Sequence, residues 1–315
     1  MESNRARFAP LSVVTTAAAL NGGWTESSIS HAVHSGRWVR IRSGYYLVDG
    51  STPTPLAAQA RAATDAVRDS VVSHAAAAAL CDLPTLGSPP LCLTVPPSRR
   101  LTSIEAVHLH RATIGQVIRL GGVVLTPPAR SVLDLARENG WRAGVVAADA
   151  GLNRQLLTVD DLRRQASAMT GWPYSRRARA VLDSCDGDSE SPLESLSRLA
   201  IAAHDLPLPR LQVSLGNLAG DFVGRVDFYW AEFGVVGEAD GQLKYTTGPV
   251  LIAEKQRQER LERIGLIVVR WDWSDLTAFH RVADRLRAAF SRSNRGTRAE
   301  RWLEIPRFVR ETRAG

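Results

Sequence analysis

The sequence predicts a multi-domain protein of the α/β class, and three observations support this prediction. The chain has 315 residues, 44% of them hydrophobic and 23% charged, which is enough for more than one buried core. An acidic, polar segment at 183–192 interrupts the chain as a domain boundary does. Beyond it the pattern becomes helix, strands, helix and strand, which is typical of a compact α/β domain. The same composition excludes disorder, coiled coil and collagen.

The first fifty residues predict two short helices followed by a β-hairpin. In order, these are an Ala-rich helix at 11–20 ended by Asn21-Gly22-Gly23, a helix at 26–34 capped by Thr25, and a hairpin with strands at 37–42 and 45–48. This order predicts a winged helix-turn-helix domain at 1–50. The alternative is a protein-docking module, because short helix pairs with a hairpin also serve that purpose.

Polar and basic side chains of this module are the candidate DNA-binding residues. A second helix can enter a major groove, and a basic hairpin can hold phosphate groups. The candidates are Ser27, Ser28, Ser30, His31 and His34 on the helix, and Arg37, Arg40 and Arg42 on the hairpin.

After a Pro-rich joint, residues 55–182 predict an α+β middle domain. Helices are expected at 56–68, 74–80, 129–137, 141–151 and 159–168, and strands at 91–95, 107–110 and 121–125. Thr126-Pro127-Pro128 marks the start of the helix at 129. His108 and His110 share one strand face and are a candidate metal pair, but no carboxylate or cysteine lies near them in the sequence. A surface or partly buried pair is therefore favoured.

The third region, 190–290, predicts the compact α/β domain. Its expected elements are a helix at 192–204, a strand at 211–215, a hairpin at 223–239, a charged helix at 250–264 and an apolar strand at 266–271. Residues 291–315 are expected to form an Arg-rich tail.

Three acids of the hairpin form the candidate metal site. A four-residue turn at 231–234 places Asp227 opposite Glu238. Because like charges directly opposite one another destabilise a sheet, this pairing predicts a cation between them. Asp240 shares the face of Glu238, since strand side chains alternate. Oxygen ligands of this kind suit Mg²⁺ or Mn²⁺, which indicates metal-assisted hydrolysis of a phosphodiester.

Glu194, on the helix that opens the region, can reach the same pocket and is a fourth candidate acid. The alternative is that no metal binds here. In that interpretation Asp240 pairs with Arg225, which the same register places opposite it, and Glu238 lies on the solvent side.

Asp227, Glu238-Ala239-Asp240-Gly241, Glu254-Lys255-Gln256-Arg257 and Gly265-Leu266-Ile267-Val268-Val269-Arg270 together resemble restriction-endonuclease-like domains related to very-short-patch repair endonucleases. The resemblance covers about residues 190–290. It implies a restriction-endonuclease-like fold of unassigned function, with Asp227 and Glu238 as metal ligands and Glu194 as the acid of the first helix.

One position departs from that pattern. The wider nuclease superfamily has a lysine two residues after the second acid, where this chain has Asp240. The only two lysines of the chain, Lys244 and Lys255, follow closely and are candidates for the missing amine. Arg257 is a candidate contact for the scissile phosphate, and a solvated helical face with glutamate partners is the alternative.

A second resemblance lies in the N-terminal half. It is carried by Gly23-Trp24-Thr25, by residues 35–46, by Ser73-His74-Ala75-Ala76 and by residues 125–134, and it spans about residues 10–165. These segments are similar to AbiEi-type antitoxins of type IV toxin–antitoxin systems. This resemblance implies a winged helix that binds promoter DNA and represses its own operon, and a nucleotidyltransferase-like toxin encoded nearby as partner.

Charge is unevenly distributed along the chain. The formal net charge is +7; residues 281–315 hold ten Arg against four acids, and residues 189–250 hold eight acids against four basic residues. A basic segment beside an acidic pocket suits a phosphodiester substrate. Three cysteines without a CxxC pair exclude a disulfide framework, and no apolar run suits a membrane span, so we expect a cytoplasmic protein without membrane partners.

The sequence thus supports two functions. The first is a DNA-binding protein with an Mg²⁺- or Mn²⁺-dependent endonuclease-like domain. The second is a non-enzymatic antitoxin and transcriptional autorepressor with a degenerate nuclease fold, and the absence of a lysine at position 240 favours it.

Overall fold

The structure is a computed structural model that describes residues 13–48, 55–100, 107–241, 257–292 and 302–305. The chain divides into two compact units, Met1–Cys185 and Asp186–Gly315, and the division falls inside the acidic segment at 183–192. Both units combine helices with sheets, so the protein has a multi-domain α/β fold. Among the described residues, no helix has both the length and the apolar character needed to cross a membrane.

The first unit begins with two helices and a three-stranded antiparallel sheet of order β1-β3-β2. The elements are β1 (Val13–Thr15), α1 (Thr16–Asn21), α2 (Glu26–His34), β2 (Trp38–Arg42) and β3 (Tyr45–Val48). Helix α2 has the predicted bounds because Thr25 and Ser28 form a capping box at its start. The expected helix at 11–20 is wrong at its start: residues 13–15 pair with β3, and Thr15 caps the shorter α1.

The rest of the first unit packs helices against a five-stranded sheet of order β6-β5-β4-β8-β7. The elements are α3 (Pro55–Ala66), β4 (Val71–Val72), α4 (His74–Leu80), β5 (Leu91–Val95), β6 (Val107–Arg111), β7 (Ile118–Leu120), β8 (Val123–Leu125), α5 (Pro128–Asn139), α6 (Trp141–Asn153), α7 (Val159–Ala168) and α8 (Ser175–Ser184). The sequence analysis missed β4, β7 and α8. Thr126 does not cap α5; its hydroxyl is hydrogen-bonded to Ser131 instead, at 2.7 Å.

The second unit is built on a five-stranded sheet of order β12-β11-β10-β9-β13. Its elements are α9 (Pro192–Ala203), β9 (Arg210–Asn217), β10 (Phe222–Trp230), β11 (Val235–Ala239), α10 (257–263), β12 (Ile267–Trp271), α11 (His280–Arg292) and β13 (Trp302–Ile305). Strands β11 and β12 run parallel with α10 between them in the chain, and the other neighbours are antiparallel. The rest of the charged helix predicted at 250–264 lies outside the described residues.

Helices cover both faces of this sheet. One core contains Phe228, Trp230 and Trp271 together with side chains of α9 and α11. The other contains Val226, Tyr229 and Leu261 of α10. Burial on both faces explains why the strands are apolar almost throughout, and why their few polar side chains mark the site described below.

The C-terminal segment differs from the predicted tail wherever the structure describes it. Helix α11 runs to Arg292 and buries Val282, Ala283, Leu286 and Ala289, so its arginines lie on the other side of an amphipathic helix. Residues 302–305 form β13 at the edge of the sheet, antiparallel to β9. Part of the basic charge therefore belongs to the folded second unit.

Candidate acidic site of the second unit

The hairpin of β10 and β11 has the predicted register. A 3₁₀ turn at Ala231–Phe233 connects the strands, and Trp230 pairs with Val235 while Phe228 pairs with Gly237. Beyond that pair, one oxygen of the Asp227 carboxylate accepts a hydrogen bond from the backbone N–H of Ala239 at 2.9 Å. The register of the two strands therefore places Asp227 beside the end of β11, next to Glu238.

A glutamine links two acids of the site. The Gln212 side-chain amide donates to Glu194 at 2.8 Å and to Asp227 at 3.2 Å. Glu194 also accepts from the Ser191 hydroxyl at 2.7 Å and from the backbone N–H of Glu190 at 2.9 Å. The helix α9 cap therefore fixes Glu194, and Gln212 holds Asp227 beside it. The structure brings these two acids together, as the sequence analysis predicted.

Gln212 itself was missed by the sequence analysis. It is 3% exposed, and its backbone has a φ of 53°, which is uncommon for a non-glycine residue in a strand. Within the described part of the chain, its side-chain oxygen is buried and has no hydrogen-bond partner. A strained, buried glutamine with one unsatisfied oxygen is a typical feature of a functional site. The sequence signal was weak, because Gln212 is one of several polar residues in its strand, with Ser214 and Asn217.

Glu238 is paired with two arginines. Arg257 of α10 forms a bidentate ion pair with its carboxylate, with one contact at 2.7 Å, and Arg270 of β12 donates to it at 3.1 Å. Glu238 is 2% exposed, so the alternative that placed it on the solvent side is wrong. Asp240 lies 3.8 Å from Arg270, whereas Arg225 pairs with Glu190, so the alternative pairing of Asp240 with Arg225 is wrong as well.

Burial determines the electrostatics of these acids. It raises the pKa of Asp227 to about 6, with a further contribution from the charge of Glu194, against the opposing hydrogen bond from Ala239. Burial also raises the pKa of Glu238, although Arg257 and Arg270 oppose the shift. Among the described residues, only neutral groups donate hydrogen bonds to Asp227, whereas Glu238 has two guanidinium partners.

The acids of this site have the donor chemistry of a hard divalent cation site, but their spacing is wider than that of a formed site. Among the described residues of the site, four ionised carboxylates, those of Glu194, Asp227, Glu238 and Asp240, and two guanidinium groups, those of Arg257 and Arg270, sum to −2. The unsatisfied oxygen of Gln212 adds a neutral donor. The oxygens of Asp227, Glu238 and Asp240 do not lie within 4.8 Å of one another; of the described residues, only His74, His110 and Glu138 meet that criterion.

Other predicted residues of this site have different outcomes. Lys244 and Lys255 lie outside the described residues. Arg257 points into the site and also donates to the backbone oxygen of Arg225 at 3.1 Å, so its guanidinium does not belong to a solvated helical face. The predicted contact of Arg257 with a phosphate stays a prediction.

The candidate DNA-binding residues lie on α2 and β2. Ser27, His31, Arg37 and Arg40 are exposed, as are Ser30 and His34. The Ser28 hydroxyl instead exchanges hydrogen bonds with Thr25 in the helix cap, with distances of 2.8 Å. Nothing is described of the Arg42 side chain. Helix α2 therefore presents an exposed polar row next to exposed arginines.

The two strand histidines have separate surroundings. His108 is exposed, and His110 is partly buried, as favoured above. His110 stacks on His74, the first residue of α4, with ring centroids 3.6 Å apart. The sequence analysis missed this contact because His74 and His110 are far apart in the chain.

Comparisons with known proteins leave the family open. No protein-family model matches the chain. Two uncharacterized proteins of Mycobacterium tuberculosis, MT2308 of strain CDC 1551 and Rv2248 of strain H37Rv, are each 26% identical to it over 174 residues. The match covers 55% of this chain and 64% of theirs, so the chain spans less than two thirds of these relatives. The crystal structure of the Rv2827c protein from the same species covers 64% of this chain and 78% of that chain at 18% identity, with a TM-score of 0.37.

Proposed function

We propose that this chain is a DNA-binding protein whose second unit hydrolyses phosphodiester bonds with the help of Mg²⁺ or Mn²⁺. The observation that carries the proposal is Asp227, a half-buried carboxylate that shares Gln212 with Glu194 and whose pKa is raised to about 6. Folding gains nothing from such a charge, whereas a divalent cation next to it would compensate it. The resemblance to restriction-endonuclease-like domains supports the same reaction class.

Asp227, Glu238 and Asp240 would hold the ion, and their carboxylates would have to move closer together to share it. When bound, a divalent ion lowers the pKa of a water ligand and neutralises charge on the phosphodiester. Gln212 fixes the Asp227 carboxylate by one hydrogen bond and the Ala239 N–H fixes it by another. Glu194, which is held by the α9 cap, positions Gln212.

Arg257 and Arg270 are the phosphate-binding candidates. Both guanidinium groups contact Glu238 from neighbouring elements, α10 and β12. A guanidinium that is bidentate on a carboxylate has the geometry to bind a phosphate in the same way. Glu238, which would help to hold the ion, thus also holds both phosphate-binding candidates in the site.

The first unit would supply DNA binding. Helix α2 ends in His31 and His34, and the exposed Arg37 and Arg40 follow on β2. A polar helix beside a basic hairpin supports groove and phosphate contacts. The similarity to AbiEi-type antitoxins favours the same assignment.

The second candidate function is a non-enzymatic autorepressor and antitoxin with a nucleotidyltransferase-like toxin as partner. The specific observation in its favour is that Glu238 already has two arginine partners, which compensate its charge without a metal. In that case the acidic site would be a remnant, and DNA binding would not depend on it.

A cleavage assay separates the two functions. The purified full-length chain is incubated with supercoiled plasmid and Mn²⁺ or Mg²⁺, and fluorescence anisotropy measures DNA binding in parallel. The nuclease function predicts nicking by the wild type, loss of nicking in Asp227→Asn, and unchanged DNA affinity. Asp284→Asn is the matched control, because Asp284 is an exposed aspartate of the same unit that pairs only with Arg287 among the described residues. Absence of nicking in the wild type, or equal nicking by Asp227→Asn, would refute the nuclease function.

A further inference from the structure

We propose that the first unit carries a second, separate metal site, which binds a Zn²⁺-type transition-metal ion through His74, His110 and Glu138. One nitrogen of each histidine and one carboxylate oxygen lie within 4.8 Å of one another. Two imidazoles and one carboxylate are a ligand set that suits zinc, and three protein ligands leave one coordination position open.

Three elements meet at this site. His74 is the first residue of α4, His110 lies in β6, and Glu138 is the second-last residue of α5. His74 is 5% exposed and has a φ of 54°, so its backbone is in the left-handed region. A β-carbon makes that conformation unfavourable, and buried residues that adopt it cluster at functional sites.

The facing atoms lack ordinary hydrogen-bond partners. His110 Nε2 is buried and has none among the described residues, and it lies 3.7 Å from Glu138 Oε2. His74 Nε2 lies 3.9 Å from Asp134 Oδ1. The distance between His110 and Glu138 exceeds hydrogen-bond length, but two ligands of one metal ion have a separation of this order, whereas Asp134 is paired with Arg130 and Arg137 and is not a ligand.

The other nitrogen of His74 is oriented as in known metal sites. Nδ1 lies 2.9 Å from the Ser73 hydroxyl, which in turn accepts a hydrogen bond from Thr94 at 2.8 Å. Metal-ligating histidines usually donate their second N–H to such a partner, which fixes the ring. If Nδ1 carries the proton and donates it to Ser73, the lone pair of Nε2 is available to bind a metal ion.

The surrounding charges permit a cation. Arg130 and Arg137 are both paired with Asp134, so one carboxylate opposes two guanidinium groups, and Glu138 supplies the second negative charge. Burial raises the pKa of Cys92, the nearby thiol, to about 12, which keeps it protonated.

One rearrangement is required. The two rings stack at 3.6 Å with an interplanar angle of 19°. A shared ion lies near the plane of each ligating imidazole, so the rings must splay when it binds. The partly exposed His110 and Glu138 can move, whereas the buried His74 is fixed by Ser73.

The test uses the full-length chain after removal of metal by chelation. Zn²⁺ is titrated by calorimetry, and Co²⁺ replaces it for visible absorption, which reports the coordination geometry. The background is Asp227→Asn, so that the acidic site of the second unit cannot supply the binding. We expect one equivalent of Zn²⁺ and the intense absorption of four-coordinate Co²⁺.

His110→Ala and Glu138→Gln should each weaken Zn²⁺ binding by at least about tenfold, because even the loss of a residue that hydrogen-bonds a ligand typically has an effect of that size. His108→Ala is the matched control, since His108 is an exposed histidine of the same strand, and it should leave the affinity unchanged. Glu138 is partly exposed, so Glu138→Gln tests the site even where His110→Ala fails to fold. Absence of a bound equivalent, persistence of binding in Glu138→Gln, or an equal loss in His108→Ala would overturn the proposal.

Discussion

Replacement of Asp227 by asparagine should stabilise the protein at alkaline pH and destabilise it at acid pH. The pKa of this carboxyl rises from 3.8 to about 6 on folding. The folded state therefore holds the proton more tightly than the unfolded state, and stability present below pH 3.8 is lost as the pH rises through 6. A shift of about two pH units corresponds to roughly 3 kcal/mol at pH 8.

Asparagine removes this charge but keeps only one acceptor oxygen. The Ala239 N–H and the Gln212 amide both donate to Asp227, so one donor loses its partner, at a cost of about 1–2 kcal/mol. The expected net effect is a gain of about 1–2 kcal/mol at pH 8 and a loss of similar size at pH 4, where the native carboxyl is protonated.

The assay is urea unfolding, without divalent ions, at several pH values between 4 and 8. The free-energy difference between the wild type and Asp227→Asn should change sign in that interval, whereas Asp284→Asn should show a constant difference. If Asp227→Asn destabilises the protein equally at pH 4 and pH 8, the carboxylate is an ordinary structural group and the reasoning fails.

Three further predictions concern other residues. Burial and the charges of Arg137 and Arg130 lower the pKa of His74 to about 3, so the stability that the neutral ring contributes above pH 6.5 is lost as the pH falls; this residue alone accounts for about 2 kcal/mol between pH 7 and pH 5, so in urea unfolding the loss over that interval should be about 2 kcal/mol larger in the wild type than in His74→Gln. Gly237→Ala would place a β-carbon 2.5 Å from the Trp271 ring, so thermal unfolding should show a loss of about 1–3 kcal/mol, whereas Gly241→Ala, whose β-carbon would meet no atom of the described residues within 4 Å, should be close to neutral. Arg257→Met leaves Glu238 with one arginine partner, Arg270, so we expect the free energy of unfolding to fall by roughly 2–3 kcal/mol in EDTA. Added Mn²⁺ should restore part of that stability; a variant whose stability is the same in Mn²⁺ and in EDTA would contradict the role assigned to Glu238.

Local signals were sufficient for several features. The bounds of α2 follow from a capping residue, Thr25, and a Ser-Gly stop, which act within one turn. The register of β10 and β11 follows from counting outward from a short turn, because a hairpin leaves little freedom. Asp227 could therefore be placed next to Glu238 without knowledge of the rest of the fold.

Features that depend on distant contacts could not be predicted. Strand β13 has too few residues to give a pattern and exists because it pairs with the edge of β9. Residues 13–15 become a strand only through β3. The role of Gln212 depends on Glu194 and Asp227, which lie on two other elements. The contact between His74 and His110 likewise needs the packing of α4 against the sheet.

Binding of Mn²⁺ to the second unit tests whether Asp227 and its neighbouring acids form a metal site. Calorimetric titration of the full-length chain at neutral pH, in a Glu138→Gln background that disables the proposed histidine site, isolates the acidic site. The account predicts one equivalent of Mn²⁺, lost in Asp227→Asn and retained in Asp284→Asn. Absence of that equivalent, or its persistence in Asp227→Asn, would contradict the assignment of these acids as a metal site.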